Sequence, residues 1–312
     1  MAIDGLEIVV VGAGGMGALF GAILAEGGLP VTLYDTNAEH IDAIQRSGLK
    51  IEGFGGNRTL EIAATTDPSS LPTANVLLFQ CKSHATGPAA TAVRHLVADG
   101  AVCISFQNGL GNEEALAEIV GEENVIGGLS TMAGCLLGPG RVQDFSRVAS
   151  YIGEMPGGVS DRCRHIAASF TDAGLETYVS ADIRRDIWKK LLGNIAMSAV
   201  SGTTDLTSAA CLNIPELKTT SLRALDEALA VATSHGIVLD RDEALAGMVA
   251  ISEPGGTGDN KSSLCVDILN QRKTEVDYIY GSVIALGREN GIATPTLETL
   301  ASLVKGIESQ YV

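Results

Sequence analysis

None of the six cysteines (Cys81, Cys103, Cys135, Cys163, Cys211, Cys265) stands in a CxxC spacing, and the five histidines (His40, His84, His95, His165, His235) show no HxxxH or HExxH pattern. No metal site is expected, and in a reducing compartment such cysteines read as small buried hydrophobes. Basic residues are scarce: 21 Lys and Arg against 37 Asp and Glu leave a formal charge of −16. That deficit argues against nucleic acid and anionic membrane surfaces as partners, since both require basic patches. No apolar run approaches the ~20 residues of a membrane span. The first apolar strand starts within a few residues of Met1, which leaves no room for a secretion signal, so a cytoplasmic location is expected. Internal repeats and low-complexity tracts are lacking, and the Gly-rich stretch Glu253 to Asp259 reads as a mobile loop.

Against these absences stands one specific pattern. Gly12-Ala13-Gly14-Gly15-Met16-Gly17 follows the apolar run Glu7 to Val11, and Asp35 ends the next apolar run, Val31-Thr32-Leu33-Tyr34. In a dinucleotide site Gly12 permits the tight strand-to-helix turn, Gly14 lets a pyrophosphate approach the backbone, and Gly17 lets the helix pack closely on the sheet. The helix opening near Gly15 presents N–H groups and a positive dipole end to the phosphates. Gly-rich turns also recur by chance. Here the turn lies between a strand and an amphipathic run (Leu19, Phe20, Ile23, Leu24), with the acid about 20 residues on. A carboxylate at Asp35 accepts hydrogen bonds from ribose hydroxyls and repels a 2′-phosphate, and Thr36 and Asn37, not Arg, follow it. NAD(H) is therefore favoured over NADP(H), the plain alternative for Asp35 being a solvated loop acid.

A chain of 312 residues with 46% hydrophobic composition supports two domains. Residues 1–180 alternate short β-branched runs (Glu7–Val11, Val31–Tyr34, Val76–Phe79, Val102–Phe106, Val125–Leu129) with helical stretches. This is the α/β pattern of a Rossmann-type doubly wound sheet, which binds ligands at the carboxyl ends of its strands. Lys82 and Gln107-Asn108-Gly109 fall at such ends. Strands around Val142, Val148–Ile152 and Glu176–Val179 are expected to extend the same sheet. Residues 181–312 form a second, all-helical domain by pattern: Arg184–Val200, Glu216–His235, Asp240–Ile251, Lys261–Asn270, Thr274–Asn290 and Leu297–Ser309. Apolar helix faces there make a homodimer plausible.

Within Ile187 to Ser198, helical spacing stacks Lys190, Asn194 and Ser198 on one face beside the apolar stripe Ile187, Leu191, Ile195. By spacing alone this equally describes an ordinary amphipathic helix with a solvated lysine. GAGGMG, Lys82 in a QCKS context, Gln107-Asn108-Gly109-Leu110-Gly111, WKKLLGN (Trp188 to Asn194) and KSS…TEVDY (Lys261 to Tyr278) occur in the order and spacing of ketopantoate reductases. The chain resembles that family over nearly its whole length. The resemblance implies an oxidoreductase in which hydride passes from a nicotinamide to the keto carbon of a 2-oxo acid, with ketopantoate to D-pantoate the leading reaction. By the same resemblance Lys190 is the catalytic lysine and Glu275 its partner acid. Lys82 and Asn108 lie near nicotinamide and substrate, and Asn194 and Ser263 bind substrate.

An ammonium at Lys190 would stabilise the developing oxyanion and donate the proton, and a carboxylate at Glu275 would keep it protonated. Glu275 could instead form a surface ion pair, and Ser263 a plain helix cap. A straight helix from Ser263 to Glu275 would hold them about 18 Å apart, so a break is expected, with Asn270 ending one helix and Thr274 and Asp277 capping the next. Two departures from the family matter. The family usually takes NADPH, whereas Asp35 favours NADH. Ser198-Ala199 stands where the family commonly has a second substrate-binding Asn followed by Pro, and the shorter serine offers fewer donors. A D-2-hydroxy acid dehydrogenase acting on branched or aromatic substrates is therefore the alternative within the family. Beyond it, a non-catalytic NAD sensor and an S-adenosylmethionine methyltransferase share the Gly-rich turn but not the lysine–glutamate set.

Overall fold

Ile8-Val9-Val10-Val11 is apolar at every position instead of alternating, the pattern of a strand covered on both faces. In the computed structural model, which describes residues 5–252 and 257–312, it forms β1 (Ile8–Val11), fully buried near the middle of an eight-stranded sheet. Residues 1–107 and 112–184 make up one compact unit, and residues 108–111 and 185–312 a second.

In the first unit β1 is followed by α1 (Gly15–Glu26), β2 (Val31–Tyr34), α2 (Ala38–Ser47), β3 (Leu49–Gly53), β4 (Arg58–Leu60), β5 (Ala63–Thr65), β6 (Val76–Phe79), α3 (Thr86–Ala98), β7 (Val102–Ser105), α4 (Asn112–Val120) and β8 (Val125–Ser130). Then come β9 (Ala133–Gly138), β10 (Arg141–Ser146), β11 (Ser150–Glu154), α5 (Asp161–Asp172) and β12 (Thr177–Val179). The large sheet runs β12-β11-β8-β7-β6-β1-β2-β5, parallel throughout except where β11 meets β8. Its carboxyl ends therefore gather the turns after β1, β2, β6 and β7 on one edge.

The strand expected around Val142 does not extend this sheet. β10 belongs to a separate four-stranded sheet of order β4-β3-β10-β9. The tight turn Pro139-Gly140 folds β10 antiparallel onto β9, its other edge pairs in parallel with the distant β3, and buried Val142 and Asp144 alternate with less buried neighbours, as in a sheet with one covered face. The strands expected near Val148–Ile152 and Glu176–Val179 do join the large sheet, as β11 and β12. Sandwiched between the large sheet and β9, α1 is buried continuously from Gly17 to Leu24.

The helices of the second unit are α6 (Ile183–Thr204), α7 (Ser208–Asn213), α8 (Pro215–Ser234), α9 (Arg241–Ser252), α10 (Ser263–Leu269), α11 (Ser282–Glu289) and α12 (Pro295–Glu308), with a π-helical turn at Asp277–Gly281. Trp188, Leu191, Leu192, Ile195, Leu225, Ala228, Tyr280, Val283 and Val304 form its core. The short α7 was not anticipated, and the expected single helix from Thr274 is instead a π turn running into α11. Of the Gly-rich stretch 253–259, residues 253–256 lie outside the described residues, and Thr257–Asp259 forms a 3-10 turn. Among the described residues no helix is long and apolar enough to cross a membrane, and no group of three or more His, Cys, Asp or Glu could hold a metal ion.

The expected break between Ser263 and Glu275 is present. Asn270 follows the last turn of α10, and Gln271 takes a left-handed conformation at φ 51°. The capping pair is different. Thr274 Oγ1 accepts the Val276 N–H at 3.2 Å, but Asp277 pairs with Lys305 instead of capping back. Glu308 supplies the missing partner, accepting the Thr274 N–H at 2.6 Å.

Candidate active site

The turn after β1 is built by exclusion of side chains. Gly12 lies at φ +96°, and a Cβ there would stand 2.3 Å from the Cys81 amide nitrogen. A Cβ on Gly17 would meet the Gly12 carbonyl oxygen at 1.9 Å, which fixes helix against turn. Gly15 answers a different constraint. Its Cβ would fall 2.6 Å from the Leu136 amide nitrogen, so β9 lies directly on the start of α1. Over Gly14 nothing lies within 4 Å of a Cβ position. That open space, bordered by first-turn N–H groups with no intrahelical acceptor, fits a pyrophosphate. Gly14, as N-cap, makes no side-chain cap bond, and the first helical bond runs from the Ala18 N–H to the Gly14 carbonyl at 2.9 Å. The side chains of Ala13 and Met16 pack into the core, leaving their backbone to the turn.

At the end of β2, the half-buried Asp35 accepts the Asn37 N–H at 2.9 Å through Oδ1. Asn37 in turn caps α2 by accepting the His40 N–H at 3.1 Å. Buried His40 holds its imidazole neutral, burial lowering its pKa, and its Nδ1 accepts the Gly140 N–H at 3.0 Å. Lys82 begins the short 3-10 turn Ser83–Ala85 after β6. Gln107, at the end of β7, clamps that segment from below: its amide donates to the Cys81 carbonyl at 2.8 Å and to Thr86 Oγ1 at 2.7 Å.

In the second unit three of the expected residues converge. Lys190 Nζ donates to Asn108 Oδ1 at 2.9 Å, and Asn108 Nδ2 donates to Glu275 Oε2 at 3.5 Å. Glu275 is buried and Asn108 and Lys190 are partly so. Burial pulls the Lys190 pKa down to about 8, and the Glu275 charge only partly opposes this. The expectation that Glu275 would simply hold Lys190 protonated thus misses the larger effect, desolvation of the ammonium.

The π turn explains how Asn108 reaches this position. The Ser282 N–H reaches back five residues to the Asp277 carbonyl, which releases the Tyr278 carbonyl to accept the Leu110 N–H at 2.9 Å. Ser282 Oγ donates to the Leu110 carbonyl at 3.1 Å. Gly109, at φ +89°, lies so close to Tyr278 that a Cβ would fall 2.5 Å from its carbonyl oxygen.

Asn194 and Ser198 follow Lys190 along α6, one and two turns on. Ser198 is buried, and its carbonyl accepts the Ser262 hydroxyl at 3.2 Å. The residue capping α10 is Ser262, whose Oγ accepts the Cys265 N–H at 3.1 Å. Ser263 is the first helical residue, with an exposed side chain, and is not the cap. Sequence reasoning noted Gln107 for its place at a strand end beside Asn108 without giving it a role, and passed over Tyr280 and Glu308, which carried no signal.

Residues 8–157 match the family described as ketopantoate reductase PanE/ApbA, and residues 182–308 match ketopantoate reductase PanE/ApbA C terminal. The chain belongs to the ketopantoate reductase family. It is 32% identical over 306 residues to the 2-dehydropantoate 2-reductase of Halobacterium salinarum, covering 96% of this chain and 98% of that one. The Pyrococcus horikoshii 2-dehydropantoate 2-reductase is 31% identical, with 97% and 98% covered. Among solved structures, a ternary complex of D-mandelate dehydrogenase with NADH and anilino(oxo)acetate superposes with a TM-score of 0.94 at 25% identity, over 98% of this chain and 99% of that one. A ketopantoate reductase from Ralstonia eutropha superposes with a TM-score of 0.90 at 28% identity, with 98% and 99% covered.

The glycine geometry separates two substitutions. Gly15→Ala should cost about 1–3 kcal/mol by overpacking against β9, seen as a lower Tm. Gly14→Val should leave Tm nearly unchanged yet weaken NADH binding about tenfold or more in a fluorescence titration; equal losses of Tm in both variants would contradict this division.

Proposed function

We propose that the chain reduces a 2-oxo acid with a nicotinamide coenzyme, with 2-dehydropantoate to D-pantoate the leading reaction, and that NADH is preferred over NADPH. The observation that carries this is the contact of Lys190 Nζ with Asn108 beside the buried Glu275. Gly12, Ala13, Gly14, Gly15, Met16 and Gly17 would hold the coenzyme pyrophosphate, Asp35 the adenosine ribose, and Lys82 and Asn108 the nicotinamide end. When bound, the nicotinamide supplies the hydride. Lys190, with a pKa near 8, is a stronger acid than an exposed lysine and still mostly charged at neutral pH. It would donate its proton to the developing alkoxide, and its charge would stabilise that oxygen beforehand. Asn108 aims the ammonium, and Glu275 offsets part of the cost of burying it. Asn194, Ser198 and the exposed hydroxyl of Ser263 would take the substrate. The absence of disulfides among the described residues suits a cytoplasmic enzyme.

A D-2-hydroxy acid dehydrogenase with bulkier substrates is the second reading. It is favoured by the likeness to the D-mandelate dehydrogenase complex and by Ser198, whose short side chain leaves room. Catalytic efficiencies on ketopantoate, 2-ketoisovalerate and benzoylformate separate the two.

Lys190→Ala should lower kcat by about 10²–10⁴-fold with NADH affinity nearly intact. In the wild type, kcat/KM for reduction should be level below the Lys190 pKa and fall as pH rises through about 8. Glu275→Gln removes the charge that raises this pKa, so its alkaline limb should lie at lower pH; a limb that stays in place would deny the coupling. Asp35→Asn should raise kcat/KM with NADPH about tenfold or more, by removing a like charge from beside the 2′-phosphate, and no gain would remove Asp35 as the discriminating residue.

A further inference from the structure

The hydroxyl of Tyr280 lies inside the backbone ladder of α6. In a regular helix the Ala199 N–H would donate to the Ile195 carbonyl four residues back. Here it donates to Tyr280 Oη at 2.9 Å, and that hydroxyl donates onward to the Ile195 carbonyl at 2.6 Å. The Asn194 carbonyl also lies 3.4 Å from it. An oxygen that bonds both this N–H and this C=O can replace one hydrogen bond by two in series, the way an inserted side chain loosens a helical turn, in a helix that runs unbroken from Ile183 to Thr204. Tyr280 is fully buried, yet its hydroxyl uses both its donor and its acceptor capacity, so the polar atom is not left stranded.

The carbonyls that follow also accept side-chain hydroxyls. Those of Ser198, Ala199 and Val200 accept hydroxyls from Ser262 at 3.2 Å, Thr203 at 2.8 Å and Thr204 at 2.7 Å. Such side-chain bonding to helix carbonyls accompanies bending. The affected turn contains Ser198 and begins directly after Asn194, while Lys190 stands on the regular turn before it. Tyr280 itself belongs to the π turn whose Tyr278 carbonyl seats the Asn108 loop. One short segment therefore registers the loop carrying Asn108 and the part of α6 beyond Lys190.

We propose that Tyr280 is a positioning and specificity-determining residue: its hydroxyl holds residues 195–199 of α6 open, and so sets Ser198 relative to Lys190 and Asn194 for a branched 2-oxo acid. The proposal rests on the reductase reading above and adds to it a residue that touches neither substrate nor coenzyme. Its consequence is selective. Closing the turn displaces Ser198, and leaves Asn194 and the Lys190–Asn108–Glu275 contacts in place.

The test is Tyr280→Phe, which removes one oxygen and lets the Ala199 N–H pair directly with the Ile195 carbonyl. In a variant of near-native Tm, KM for ketopantoate and 2-ketoisovalerate should rise about tenfold relative to KM for pyruvate, while KM for NADH and the alkaline limb of the rate stay where they are. Adding Ala199→Pro, which has no N–H and whose ring keeps the Ile195 carbonyl away, should restore much of the original KM ratio. Unchanged ratios in folded Tyr280→Phe, with an active wild type, overturn the role of Tyr280 alone. A wild type that reduces none of the three acids overturns the reductase reading and this inference with it.

Discussion

A buried ammonium is expensive, and the second unit is arranged around meeting that expense at Lys190. The Asn108 carbonyl oxygen accepts from it and Glu275 faces it with opposite charge, yet desolvation still prevails and pulls its pKa to about 8. In the proposed reduction that imbalance would give the group its chemistry. A fully compensated lysine would stay a weak acid, and an uncompensated one would be neutral and could not meet a growing negative charge. Next to Glu275, the Thr274 N–H is held by Glu308, which sits buried at the last turn of α12.

The glycines of the first unit divide labour. Gly12 and Gly17 fit turn to helix and Gly14 keeps a space clear, as the spacing of the motif implies. Gly15 serves the small sheet instead, since its missing side chain lets the β9 backbone lie on α1. One motif thus keeps a space open and meets a packing constraint at adjacent positions.

What was legible in the sequence was local. The unbroken apolar runs of β1 and β6, the glycine turn and the lysine stripe of α6 each declare themselves within a dozen residues. The small sheet did not, because β3 and β10 pair in parallel register, Lys50 opposite Arg141, across a long stretch of chain, and their alternation suits either sheet. The π turn was hidden for a similar reason: Val276 to Glu289 carries a helical pattern, and what widens its first turns is a bond from the Leu110 N–H to the Tyr278 carbonyl. Tyr280 gave no sign of its role. Its aromatic ring is core, and its single oxygen acts on backbone some 80 residues earlier. Ser262 and Ser263 differ by one position, and propensity does not decide which of two adjacent serines caps a helix.

The four residues Asn108–Gly111 belong by contact to the second unit although the chain on either side belongs to the first. A polypeptide ending near residue 184 would carry this loop without the Tyr278 carbonyl that seats it, and one starting at residue 185 would keep Lys190 but lose its Asn108 acceptor. The halves are therefore not interchangeable modules. Any chimaera that exchanges the helical portion must bring a compatible loop from the other half, so the two are bound to change together.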